Sequence, residues 1–162
     1  MSGSSKHSHG AVVTWSRGDS AFDDGSYSRA HEWRFDGGLA VPASASPSVV
    51  GPERSRADAV DPEEAYVAAL SSCHMLTFLD LARRAGHVVD SYDDRPEGTM
   101  ARIESGRWWV DRVTLRPRIV FSGDNLPAAE DIDSLHEEAH QLCFIANSVR
   151  TEVVVEGEFD TA

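Results

Sequence analysis

Two cysteines, Cys73 and Cys143, are the side chains of this sequence best suited to chemistry, each set in an apolar helical stretch. The first lies in VDPEEAYVAALSSCHMLTFLDLARRAG and the second in LHEEAHQLCFIANSVRTEV, the two runs with the strongest claim on the core. A thiol acts as a nucleophile only as its thiolate, and apolar burial alone raises its pKa and leaves it inert. A reactive Cys73 therefore requires a cation. Arg29, Arg54 and Arg56 are the upstream candidates, because a guanidinium is permanently charged and carries several donors. A buried arginine requires an anion in turn, which Glu63 or Glu64 at the head of the first helical run supplies. The plainer alternative is that two small residues pack in a core, since Cys is among the most buried residue types.

A second pattern competes with the thiols. His136-Glu137-Glu138-Ala139-His140 satisfies H-E-x-x-H, which on a helix sets two imidazoles at i and i+4 to bind zinc with the glutamate as base. Taken alone it points to a zinc hydrolase, whose third ligand would come from Glu156 or Glu158. A variant of the idea gathers Cys73, His74, His140 and Cys143 around zinc, a donor set of thiolate and imidazole that suits that metal. Both rank below the thiol reading, and no metal and no cofactor is expected.

The elements that position these residues are legible in outline. Residues 11 to 17 and 27 to 35 read as strands, the second with Tyr27, Arg29, His31, Trp33 and Phe35 on one side, pairing as a hairpin through the Gly25 region. Residues 37 to 58 are rich in Ala, Ser, Pro and Gly and read as a long irregular connection. Asp61 as N-cap, Pro62 at the first helical position and Glu64 at the third open a helix that runs to about Ala85 and stops at Gly86. It is apolar on almost every side between Ala65 and Ala82, so it must be covered by a sheet, a helix or another subunit. Ser71, Ser72, His74, Thr77 and Asp80, with its short length, argue against a membrane span. An antiparallel strand pair follows, in which Val113, Leu115, Ile119 and Phe121 alternate with polar residues. A second helix begins near Pro127 with Ile132, Leu135, Ala139, Leu142 and Cys143 on its inner stripe, and TEVVVEGEF closes as a final strand. The expected organisation is a flexible N-terminus over 1–10 and a single domain over 11–162.

Composition narrows the partners. With 15 Lys and Arg against 27 Asp and Glu, the chain carries a formal charge of −12, which repels nucleic acid and anionic membrane surfaces. At 162 residues it buries a sizeable core without metal or disulfide. The polar stretch MSGSSKHSHG lacks a secretory h-region, so the expected location is cytoplasmic, where cysteine pairs are kept reduced at rest.

The stretch DPEEAYVAALSSC resembles the helix opening of the OsmC/Ohr family of thiol peroxidases, in which Asn-Pro-Glu-Glu or Asn-Pro-Glu-Gln stands ten residues before the peroxidatic cysteine. HQLCFIANSVRTEV resembles the segment of that family's resolving cysteine, and the order β-β-loop-α-β-β-α-β fits, so the likeness spans nearly the whole chain. The resemblance implies an α+β OsmC-like fold, antiparallel sheets around a long central apolar helix and a second helix. It also implies reduction of organic hydroperoxides: Cys73 attacks the peroxide and becomes a sulfenic acid, Cys143 condenses with it, and an external dithiol, a lipoylated or thioredoxin-like protein, resets the pair. By the same analogy an arginine stabilises the thiolate and a glutamate orients the arginine. Glu63 matches that glutamate. Arg29 matches the arginine of the Ohr branch and ranks first, while Arg54 lies nearer the position of the OsmC branch.

Asp61 in place of Asn, His74 in place of Phe and Phe144 in place of Pro set the chain in a less familiar branch. Glu63 and Cys73 are about 15 Å apart along a straight helix and point roughly 80° apart, so one arginine bridges both poorly within one chain. An intertwined homodimer, with Glu63 of one chain serving Cys73 of the other, removes that difficulty. The other functional class left open is a non-catalytic redox-sensing or ligand-binding domain on the same fold.

Overall fold

Local signals for turns and caps divide the chain into nine strands, three α-helices and a 3-10 turn among residues 7–161, which are those described by the computed structural model. Of the N-terminal stretch expected to be flexible, residues 1–6 lie outside the described residues, and 7–10 are exposed coil. The chain forms two compact units, residues 1–62 and 63–162.

In the first unit, β1 (Ala11–Thr14), β2 (His31–Phe35) and β3 (Ala40–Ala43) make an antiparallel sheet in the order β1-β2-β3. The expected hairpin exists, but its second strand starts at His31 and not at Tyr27. The reason is a local aromatic cluster. Tyr27 stacks on Phe22 at 4.7 Å and meets Trp15 edge-on at 5.3 Å, which takes residues 15 to 30 out of the ladder. The connection read as irregular also holds structure. A turn at Gly38, with φ 85°, returns the chain into β3, and Ser46 caps the short α1 (Pro47–Val50), whose first residue is proline. Pro42 is tolerated in β3 because it faces away from β2: its carbonyl accepts the Val60 N–H at 3.1 Å on the strand's other side, where β3 meets no full strand.

The second unit is built on α2 (Pro62–Arg84), which starts and stops where its Pro62 and Gly86 require. Gly86 takes φ 83°, and the His87 N–H reaches back to the Ala82 carbonyl at 3.0 Å, closing the helix in a left-handed turn. β4 (Val88–Asp94), β5 (Glu97–Arg102), β6 (Trp108–Leu115) and β7 (Pro117–Ser122) follow, then α3 (Ala129–Leu142), a 3-10 turn (Ala146–Ser148), β8 (Glu152–Val155) and β9 (Glu158–Thr161). Two three-stranded sheets result, β4-β7-β9 and β5-β6-β8.

The run from Trp108 to Ser122 pairs antiparallel with the run before it, as expected, but it is not one strand. It is two strands that part at Arg116 and enter different sheets, β6 pairing with β5 and β7 with β4. The C-terminal run parts in the same way between Val155 and Glu158. β8 lies parallel to β6, with Leu115 opposite Val155, and β9 parallel to β7, with Arg118 opposite Glu158. The sheets are therefore antiparallel in the main but not throughout, because α3 carries the chain back to run beside β6 and β7 in their own direction. The two breaks touch. The Glu156 N–H donates to the Leu115 carbonyl at 2.8 Å, and a Cβ on Gly157 would lie 3.0 Å from Pro117 Cγ.

Each sheet has its own apolar cluster and α2 serves both. Leu70 packs with Val113 and Leu115, while Phe78, Leu81 and Ala82 pack with Ile119, Phe121, Ile132, Leu135 and Ala139. Burying the larger of these side chains, the leucines, isoleucines, valine and phenylalanines, is worth about 1.5–3 kcal/mol each. By length and composition α2 would cross a membrane, so shortness is no argument against a span. Of its apolar residues, Leu70, Phe78, Leu81 and Ala82 are buried in these two cores. On its other side Ala68, Ala69 and Ser72 are exposed and Leu76 is 61% exposed. α3 keeps Ile132, Leu135 and Ala139 inward as its periodicity predicts, but it starts at Ala129, where the Asp131 carboxylate accepts the Ala128 N–H at 2.9 Å. Leu142 is 48% exposed and stands off the inner stripe.

Candidate functional site

Cys73 lies midway along α2, between the residues that enter the two cores, and Cys143 is the residue that ends α3. Their Sγ atoms are 2.6 Å apart, both as free thiols, with the Cys143 S–H directed at Cys73 Sγ. The approach is set by helix packing. Phe78, Leu81 and Ala82 of α2 and Ile132, Leu135 and Ala139 of α3 share one cluster, and Cys73, just ahead of the first set, meets Cys143, just after the second, at the same seam. Cys143 is 1% exposed. Burial, followed by the hydrogen bond with Cys73, pushes its thiol up to about 11, while the Ala146 N–H, 3.4 Å from its Sγ, acts in the opposite direction. Cys73 is half-buried, and its carbonyl accepts the Thr77 hydroxyl at 2.9 Å.

Beside the thiols stands a histidine pair. His74 is fully buried, and its Nε2 lies 3.0 Å from Nδ1 of His136 on α3. Phe78 packs against the His136 ring at 4.5 Å between centroids. His74 Nδ1 is a buried polar atom without a partner among the described residues. A little further along, the Ser71 hydroxyl donates to the Asp94 carboxylate, whose other oxygen accepts the Arg116 N–H at 2.6 Å. This ties α2 to the point where β6 passes into β7. Sequence reasoning did not single out this set. Its trace is the spacing of Ser71, His74 and Phe78 on one face of an otherwise apolar helix.

His136 and His140, read from the sequence as a zinc motif, part ways. His136 turns its Nδ1 to His74, whereas His140 is exposed. Among the described residues no group of three or more His, Cys, Asp or Glu side chains is placed to hold a metal ion.

The remaining predicted residues fall as follows. Glu63 occupies the first turn of α2, ten positions ahead of Cys73. Arg29 and Arg54 belong to the first unit and are neighbours there, the Arg29 N–H donating to the Arg54 carbonyl at 2.8 Å. The Arg29 guanidinium lies 3.6 Å from the centre of the Tyr27 ring and donates to the Gly25 and Tyr27 carbonyls. Arg54 Nε pairs with Glu53 at 3.0 Å, and Arg56 forms a two-point pair with Asp58 at 2.8 Å.

Fold and site together define an α+β domain that brings two thiols from separate helices into contact. The chain belongs to the OsmC family: the family model described as OsmC-like protein matches residues 55–158. An OsmC-like protein of unknown function from Vibrio cholerae is 52% identical, with a TM-score of 0.91 over 94% of this chain and 99% of that one. An organic hydroperoxide resistance protein from Elizabethkingia anophelis has a TM-score of 0.66 at 17% identity, over 98% of this chain and 99% of its own. OhrB of Bacillus subtilis, also an organic hydroperoxide resistance protein, has 0.61 at 16% identity, over 95% and 98%. At such identities the last two speak for the fold alone. No curated protein sequence matches the chain.

Proposed function

We propose that this protein is a cysteine peroxidase that reduces organic hydroperoxides to alcohols in the cytoplasm. The observation that carries the reading is the 2.6 Å between Cys73 and Cys143 Sγ, because a two-thiol cycle requires that the sulfurs meet. The Cys73 thiolate attacks the terminal peroxide oxygen, the O–O bond breaks, and the alkoxide leaves and takes a proton to become the alcohol. Cys73 is then a sulfenic acid. Cys143 gives up its proton and attacks that sulfur, the S–S bond forms, and water departs. An external dithiol, lipoyl or thioredoxin-like, reduces the bridge by exchange. Cys143 suits the second role: its raised pKa keeps it protonated at rest, so it neither competes for peroxide nor repels a Cys73 thiolate.

Glu63 and one of Arg29 or Arg54 complete the site in an intertwined homodimer, Glu63 of one chain serving the other. The exposed apolar side of α2 at Ala68, Ala69 and Leu76 is consistent with a covering subunit.

A second reading, a redox-sensing or ligand-binding domain without turnover, draws on one observation. Cys73 is half-buried in an apolar helix, and a thiol buried without a cation is unreactive. Steady-state reduction of cumene hydroperoxide, with dihydrolipoamide and thioredoxin as separate donors, separates the two. The peroxidase reading expects turnover that vanishes in Cys73→Ser, falls at least about 100-fold in the variant of whichever arginine acts, Arg29→Ala or Arg54→Ala, and belongs to a dimer in ultracentrifugation. Absence of turnover with either donor, in folded and reduced protein, overturns it in favour of sensing.

A further inference from the structure

In so acidic a chain most arginines are answered by carboxylates, as Arg34, Arg56, Arg112, Arg116 and Arg118 are. Three without a carboxylate partner among the described residues gather at one end of the β5–β6 hairpin: Arg102, Arg107 and Arg150. Two of them are paired with indoles instead. The Arg102 guanidinium lies 5.0 Å from the Trp108 ring centre and that of Arg150 lies 5.8 Å from Trp109. Arg107 Nε donates to the Ser105 hydroxyl at 2.9 Å, which leaves the two terminal nitrogens of its fork for other acceptors. Ile103, Arg107, Trp108, Trp109 and Arg150 line a cavity of about 220 Å³.

We propose that this cavity binds a small aromatic carboxylate, its ring against Trp109 and Ile103 and its carboxylate between Arg107 and Arg150. Paired guanidiniums recognise a carboxylate through charge-assisted bonds. The indoles and Ile103 supply a flat apolar wall that an inorganic anion leaves unused. The volume falls below the ~300 Å³ at which pockets for drug-sized ligands begin, so the occupant has one or two rings. The net charge of −12 repels anions from the surface at large, so this basic spot provides the attraction locally. Arg107 immediately precedes β6, of which Trp109 is the second residue, both line the cavity, and Arg150 comes to that same indole from the segment before β8. The inference stands apart from the thiol chemistry and does not depend on it.

Titration calorimetry of the full chain with 2-naphthoate, and with uncharged 2-naphthamide as its shape match, tests the assignment. Naphthoate binds at least about tenfold more tightly than the amide and weakens with added salt. The double variant Arg107→Gln, Arg150→Gln removes that advantage and leaves amide binding as it was, while Trp109→Leu weakens both. Equal affinity for carboxylate and amide, failure of naphthoate to bind, or undiminished binding in the double glutamine variant overturns the proposal. The comparison of the two ligands is made on the unaltered protein, so it decides the matter even where a variant does not fold.

Discussion

His74 Nε2 and His136 Nδ1 face each other at 3.0 Å, with the two rings stacked at 5.3 Å between centroids and 13° between planes. One proton serves that contact, so at most one of the two rings carries a charge: two imidazolium rings would set two N–H groups head to head. Burial, the largest cause, holds both well below the ordinary histidine range, at about 4. His136 and His140 lower His74 further, and Asp133 and Asp94 work the other way on His136.

The pair makes the fold acid-sensitive. As pH falls from the unfolded histidine value of about 6.5 toward 4, the unfolded chain takes up protons that the folded pair refuses, so stability present above that value is lost on acidification. Urea unfolding at about pH 7 and about pH 4.5 is expected to differ more in the wild type than in His136→Phe. The excess is on the order of 2 kcal/mol, discounted for the partial solvent access of His136. Parallel pH profiles for the two proteins would contradict the assignment.

The Cys143 thiol, pushed up to about 11 mainly by burial, is slow toward alkylating agents. In Cys73→Ser its reaction with iodoacetamide, followed by mass spectrometry, rises nearly tenfold per pH unit from neutrality upward. Near pH 8 it lags a free cysteine peptide on the order of 100-fold. A rate that levels off below pH 9 (roughly the unperturbed thiol range) refutes the burial argument.

Gly98 of β5 is a packing requirement. A Cβ there would lie 2.5 Å from Val67 Cγ2 on α2, so Gly98→Ala forces the helix and strand apart or turns the valine. Overpacking of this kind costs about 1–3 kcal/mol. Val67→Ala removes the obstacle, and the double variant is expected to be less destabilised than the two single changes summed, by about 1 kcal/mol or more in denaturant unfolding. Strict additivity would place the cost elsewhere.

What was legible in the chain was local. Pro62 and Gly86 bound α2 because they act on φ and on the hydrogen bonds at the ends of a single helix. The stripe Ile132, Leu135, Ala139 marked the buried face of α3 because periodicity is a property of one element. The division of strands between two sheets was not legible, since the alternation of Val113, Leu115, Ile119 and Phe121 runs on in phase across Arg116. Pro117 was the one local hint, as a proline does not sit inside a central strand. Tyr27 and Arg29 alternate like strand residues but are held off the ladder by an aromatic cluster that includes Trp15, twelve positions upstream.

The sequence by itself determined which residues could carry thiol chemistry, the boundaries of α2 and, through its likeness to a family, the fold. Only the tertiary structure decided that Cys73 and Cys143 touch, that His136 answers His74 and not His140, and that Gly157 must lie against Pro117. Each of these is a contact between segments about 40 to 70 positions apart. Such contacts are set by how buried faces stack, and no residue's own conformational preference records where its distant partner will come to rest.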